Sequence, residues 1–204
     1  MVKREKKNKS FIIIGIILLL IGISLISYDY FLKKVVEIEE QEAIEEFYTI
    51  QEEIKEESTI NETQEVKEVK KQNKINYIAI LKIPKIDLER GLVDPNSYLN
   101  DVKYNVEILD ESSMPDEIGG NVILASHSGT ARISYFKNLH KLVIGDSISI
   151  NYKSKIYNYK VVNIYEIDKT GTAEIIRNKN KSTLTLITCK HNSNKQIVVI
   201  AEIQ

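Results

Sequence analysis

The chain has 204 residues, enough for one ordinary domain with a tail or membrane segment beside it. Its 28 Lys+Arg against 29 Asp+Glu give a net charge of -1, which offers no electrostatic footprint for nucleic acid. A single cysteine excludes an internal disulfide and any multi-cysteine metal site. No cofactor or metal is therefore expected.

Residues 1–10 carry Lys3, Arg4, Lys6, Lys7 and Lys9 against Glu5. Phe11 to Tyr28 then runs without a charge, and at about 1.5 Å per residue it reaches roughly 27 Å, enough to cross a thin bilayer. The basic cluster ahead of this span predicts a cytoplasmic N-terminus and an exported remainder. An uncleaved anchor at 11–28 is the reading adopted. A cleaved signal peptide ending near Gly22 and Ser24 is the alternative. Residues 29–75 are expected to form a glutamate-rich stalk and linker. Within it Val36, Ala43, Phe47, Ile50 and Ile54 fall at heptad-like spacings, a stripe suited to a solvated helix that pairs weakly with a second copy. Ser58 to Ile75 reads as a polar linker, and the Asn61-Glu62-Thr63 glycosylation pattern inside it is taken as chance.

From residue 76 the period changes from helical to alternating. Tyr77–Ile83, stopped by Pro84, reads as a strand, and Ile86–Val93 as a second with Gly91 inside it. Asp94–Ser97 is turn chemistry. Tyr98–Leu109 is ambiguous between a helical turn and a short strand. Asn121–Ala125 is an apolar strand entering Ser126-His127-Ser128-Gly129. Tyr135–Leu142 suggests a helical turn, and Gly145-Asp146 a hairpin between Leu142–Ile144 and Ser147–Ile150. Ile156–Ile167 is a long strand. Thr183–Thr188 and Gln196–Ile203 close the chain. About eight short strands with little helix predict an all-β barrel.

Cys189 ends the strand Thr183–Cys189 and opens the polar loop 190–195. A strand end holds a side chain rigidly yet open to substrate, and Lys190, Lys195 and His191 bring positive charge that favours the thiolate. The other reading is a buried structural cysteine. His127, also at a strand end and among small residues, is the preferred partner for a Cys/His pair. His191 sits in the loop after the cysteine, and His140 looks like a solvated helix position.

With these residues in view the chain resembles the sortases, membrane-anchored cysteine transpeptidases of Gram-positive cell surfaces. The resemblance rests on TLITC within Thr183–Cys189, on NVILASHSGT (residues 121–130) and on FKNLHKLVIGDSISI (residues 136–150). It implies a closed sortase-like barrel over residues 76–204, with catalytic Cys189 and His127. It also implies cleavage of an LPxTG-like sorting signal through a thioacyl-enzyme, and transfer to an amine of a cell-wall precursor or a pilin lysine. Sortases generally carry an arginine on the strand after the cysteine, to help hold the oxyanion. Gln196 stands there instead, with Lys195 beside it and Arg132 and Arg177 as further candidates. Two other readings stay open: a catalytically weak, membrane-tethered domain that only binds sorting signals, and a different Cys/His cell-wall hydrolase.

Overall fold

The computed structural model describes residues 3–57, 75–170 and 172–204. The linker residues 58–74, with Asn61–Thr63, and Gly171 lie outside the described residues. One α-helix, Lys3–Glu57 (α1), is followed by eight strands. The chain divides into two units, Met1–Glu42 and Ala43–Gln204. The first is helical and contains Phe11–Tyr28, which is long and apolar enough to cross a membrane. The rest of α1 belongs with the strands.

The strands are Tyr77–Ile83 (β1), Leu88–Val93 (β2), Glu107–Ile108 (β3), Asn121–Ala125 (β4), Ser147–Tyr152 (β5), Lys155–Asp168 (β6), Thr183–Cys189 (β7) and Lys195–Ile203 (β8). They form one sheet in the order β2-β1-β5-β6-β8-β7-β4-β3. Every pairing is antiparallel except β4 with β7. The sheet curls into a nearly closed barrel around Leu81, Leu124, Phe136, Ile150, Leu186 and Val199, all buried. The gap between edge strands β2 and β3 is bridged by side chains. Arg90 Nε donates to Asn105 Oδ1 (2.6 Å), and Asn105 Nδ2 donates to the Gly91 carbonyl (2.9 Å). Because Arg90 is 4% exposed, its charge needs such compensation; its guanidinium also lies 4.1 Å from the centre of the Tyr135 ring.

Two elements differ from the sequence reading. Leu142–Ile144 is not a strand, and Ile144-Gly145 is a turn feeding β5, closed by Asp146 N donating to the Val143 carbonyl (3.1 Å), with Gly145 at φ +97°. The hairpin lies one strand later, at Lys153 (φ +48°) and Ser154 (φ +58°), where β5 pairs with β6. Two successive positive φ values match the twist of the flanking strands. Lysine and serine do not advertise them. The Lys153 ammonium is held outside the turn by Asp116, 2.9 Å away.

The stalk stripe also finds another partner. Ala43 and Phe47 are buried against Tyr77, Ile80 and Val93, with Ile44, Tyr48, Ile75 and Leu99 packed around them. Ile80 lies between the core residues Ala79 and Leu81, so it projects from the outer face of β1 and must be covered. The helix supplies the cover. Tyr48 adds a hydroxyl bond to Glu89 Oε1 (2.9 Å), and burial with that carboxylate pushes its phenol up to about 12. Gly91 is required beneath this patch, since a Cβ there would stand 2.3 Å from the Tyr77 ring. Ile50 and Ile54 of the stripe remain exposed.

Candidate active site

The alternation of hydroxyl and aliphatic residues in β7 has a structural reason. Leu184 and Leu186 fill the barrel, while Thr183 and Thr185 point to the other face, where both are fully buried. Asn121, opposite Thr183 on β4, satisfies them: its Oδ1 accepts from both hydroxyls at 2.9 Å. At the other end Thr188 Oγ1 donates to the Ser126 carbonyl (2.7 Å), and Ser126 N donates to the Ile187 carbonyl (3.3 Å). Side-chain bonds thus reinforce the parallel β4–β7 ladder along its length.

This ladder sets the relation between the two chemical groups. Ala125 pairs with Ile187 at the end of the parallel ladder, and His127 and Cys189 each follow two residues further along the sequence. The carbonyl of His127 accepts from Phe136 N (3.1 Å), and Phe136 is fully buried. The loop bearing the histidine is therefore closed at its base. The His127 ring is exposed and the free Cys189 thiol is half-buried. Apo sites often hold such groups loosely before substrate tightens them.

Gln196 is the direct cross-strand partner of Cys189, so both side chains stand on one side of the sheet. The Lys190 N to Lys195 O bond (2.8 Å) closes the loop between them. The positive charge expected at the thiol is largely spoken for. Lys190 Nζ lies 2.6 Å from Glu166 Oε1 on β6, and this bond, with Lys195 nearby, lowers the Glu166 carboxyl. Arg177 is removed from consideration as the missing arginine: it donates to the Gly119 carbonyl (3.1 Å) at the start of β4, the opposite end from the cysteine. Arg132 is exposed on the loop that follows His127.

A cleft of about 760 Å³ opens beside the cysteine, a size typical of ligand sites. Phe136, Ile164 and Ile197 make its apolar lining; Cys189, Lys190 and His191 form one wall and Lys137, Asn138 and His140 belong to the other segment around it. Ser128, Gly129 and Thr130 line it directly after His127. His140, read from sequence as solvated, is exposed but borders the cleft, a placement that only the turn at Leu139–Lys141 could reveal. Among the described residues no cluster of potential metal ligands occurs.

The nearly closed barrel thus carries Cys189 at the end of β7, beside the cleft, and His127 just beyond the end of its parallel neighbour β4. The sortase-domain family model matches residues 81–204; the chain belongs to the sortase family, known as cell-wall transpeptidases. It is 26% identical to sortase A of Bacillus anthracis over 129 residues, covering 62% of this chain and 60% of that protein. Among solved structures, a Clostridium perfringens sortase D5 transpeptidase is 26% identical with a TM-score of 0.59, covering 81% of this chain and 98% of that one. A Clostridium perfringens sortase C, solved with the C-terminal cell wall sorting motif, shares the fold at 21% identity, a TM-score of 0.55 and coverage of 72% and 80%.

Proposed function

We propose that this chain is a membrane-tethered cysteine transpeptidase that cleaves an LPxTG-like sorting signal and transfers the protein to an amine of a cell-wall precursor or a pilin. The observation that supports the reading is the β4–β7 pairing: His127 follows two residues after its last β4 member, Ala125, and Cys189, which lines the cleft, two residues after its last β7 member, Ile187. The Cys189 thiolate attacks the scissile carbonyl and His127 protonates the leaving amine, giving a thioacyl-enzyme; His127 then serves as base when an amine resolves it. Gln196, opposite the cysteine, offers an uncharged amide N–H to the oxyanion where an arginine would offer a charged fork. In this reading residues 1–10 lie in the cytoplasm, 11–28 anchor the chain, 29–75 space it from the membrane and 76–204 form the extracellular catalytic domain.

The test is intact-mass analysis of the protein incubated with a labelled sorting peptide. The native chain should gain the acyl mass and Cys189→Ala should gain none. An adduct on Cys189→Ala removes the assignment, whereas tight peptide binding with no adduct on the native chain favours the binding-only alternative. Release of product by water but by no amine favours a hydrolase.

A further inference from the structure

The cleft holds a second histidine in a defined chemical state. His140 Nδ1 lies 3.1 Å from the Lys137 carbonyl oxygen. A carbonyl can only accept, so Nδ1 carries the proton and the neutral ring has its lone pair on Nε2. Among the described residues, neither His191, which also lines the cleft, nor His127 makes a ring hydrogen bond of this kind. The charged groups around His140 are Lys137 and Lys141 on its own segment, Lys85 and Asp87 on the Pro84–Asp87 turn packed against it, and Glu166, Lys190 and His191 among the cleft residues. Glu166 is occupied by Lys190. Among the described residues no other carboxylate lines the cleft.

We infer that His140 is a second base, accepting a proton from the incoming ammonium while His127 accepts the other. The inference rests on the acyl-transfer reading above, and proton balance motivates it. The first half-reaction ends with Cys189 as a thioester and His127 neutral. A lysine-like or α-amino acceptor, with a pKa of about 10 or 8, arrives as an ammonium at neutral pH. When its nitrogen bonds to the acyl carbon, the C–S bond breaks and its electron pair returns to Sγ. Going from ammonium to neutral amide releases two protons. His127 takes one and regains its starting state. His140, which borders the same cleft, takes the other on Nε2 and passes it to solvent. Attack by an acceptor that is already uncharged sheds one proton fewer and needs His127 alone; in hydrolysis His127 takes one proton from water and the second leaves the carboxylic acid product by its own ionisation, with no second base.

The experiment loads the full chain from a labelled sorting peptide and follows the partition of the thioacyl-enzyme between acid and amide by mass. The acceptors are a lysine-like alkylamine and hydroxylamine, which is uncharged at neutral pH. His140→Asn retains a side-chain donor for the Lys137 carbonyl but has no base. It should lower aminolysis by the alkylamine about 10²-fold at neutral pH, the low end for general-base catalysis. Thioacyl formation, hydrolysis and the hydroxylamine reaction should be spared, and the deficit should shrink as pH rises toward the alkylamine's own pKa. Equal loss with both acceptors, no loss with either, or a loss found in His191→Asn in place of His140→Asn overturns the inference while leaving the acyl-enzyme reading intact. Absence of any thioacyl adduct on the native chain overturns that reading and this one with it.

Discussion

The two ends of the β4–β7 pair are built differently. At the Asn121 and Thr183 end, polar groups are saturated: Asn121 takes two threonine hydroxyls, Arg177 caps the Gly119 carbonyl, and Ser182 Oγ links Gly119 N with the Glu117 carbonyl. At the Ala125 and Cys189 end satisfaction is only partial. Thr188 bonds the Ser126 carbonyl, but the Ser126 hydroxyl is buried without a partner, the Cys189 thiol is half-buried and the His127 ring is exposed. Both ends hold the register of the strands; one also saturates its buried side chains and the other does not. Sites of chemistry are where local satisfaction is incomplete, and the completeness elsewhere supports them.

The sharpest way to break the comparison is Asn121→Ala, which removes the acceptor shared by two fully buried hydroxyls; Thr183 keeps the Gly120 carbonyl at 3.4 Å, while Thr185 is left without a partner. It should cost at least about 1–3 kcal/mol, read as a lower urea midpoint with an unchanged slope. A shift below 1 kcal/mol would mean that the saturated end contributes little. Next in size, Gln196→Ala should lower turnover about 10–1000-fold with stability nearly unchanged, if its amide serves the oxyanion. An unchanged rate moves that role to Arg132 or Lys195. A smaller effect belongs to the helix-covered face. Because the folded-state Tyr48 phenol is raised from 10 to about 12, the unfolded chain loses its proton first as pH rises. Stability is full below pH 10 and declines between about 10 and 12. Tyr48→Phe should flatten that alkaline decline, and an identical pH profile for both proteins removes the Glu89 contact from the account. The smallest effect is Ser126→Ala: deleting a buried hydroxyl without a partner should change stability by less than about 1 kcal/mol, in contrast to Asn121→Ala at the other end.

Much of this was legible in the sequence. The alternating runs gave β1, β4, β6, β7 and β8 to within a residue or two, because period-2 burial is a strong signal. Cys189 and His127 stood out as strand-end residues, whereas the parallel pairing of β4 with β7 is encoded by no local pattern. Three features were hidden. The hairpin at Lys153-Ser154 uses residues that do not favour the positive φ it needs, while Gly145-Asp146 displayed a hairpin signal and formed only a turn leading into β5. The docking of Ala43 and Phe47 was masked by the glutamates around them. The Glu166–Lys190 pair and the cleft position of His140 depend on strands distant in sequence, so a loop charge looked free and a histidine looked solvated.

The docked end of α1 also bears on handling the protein. A chain shortened to begin at Ile75 would leave Tyr77, Ile80 and Val93 uncovered, a contiguous apolar patch of the kind that drives self-association. A soluble form of the barrel should therefore retain the helix from before Ala43. Shortening it further trades a membrane anchor for a sticky surface.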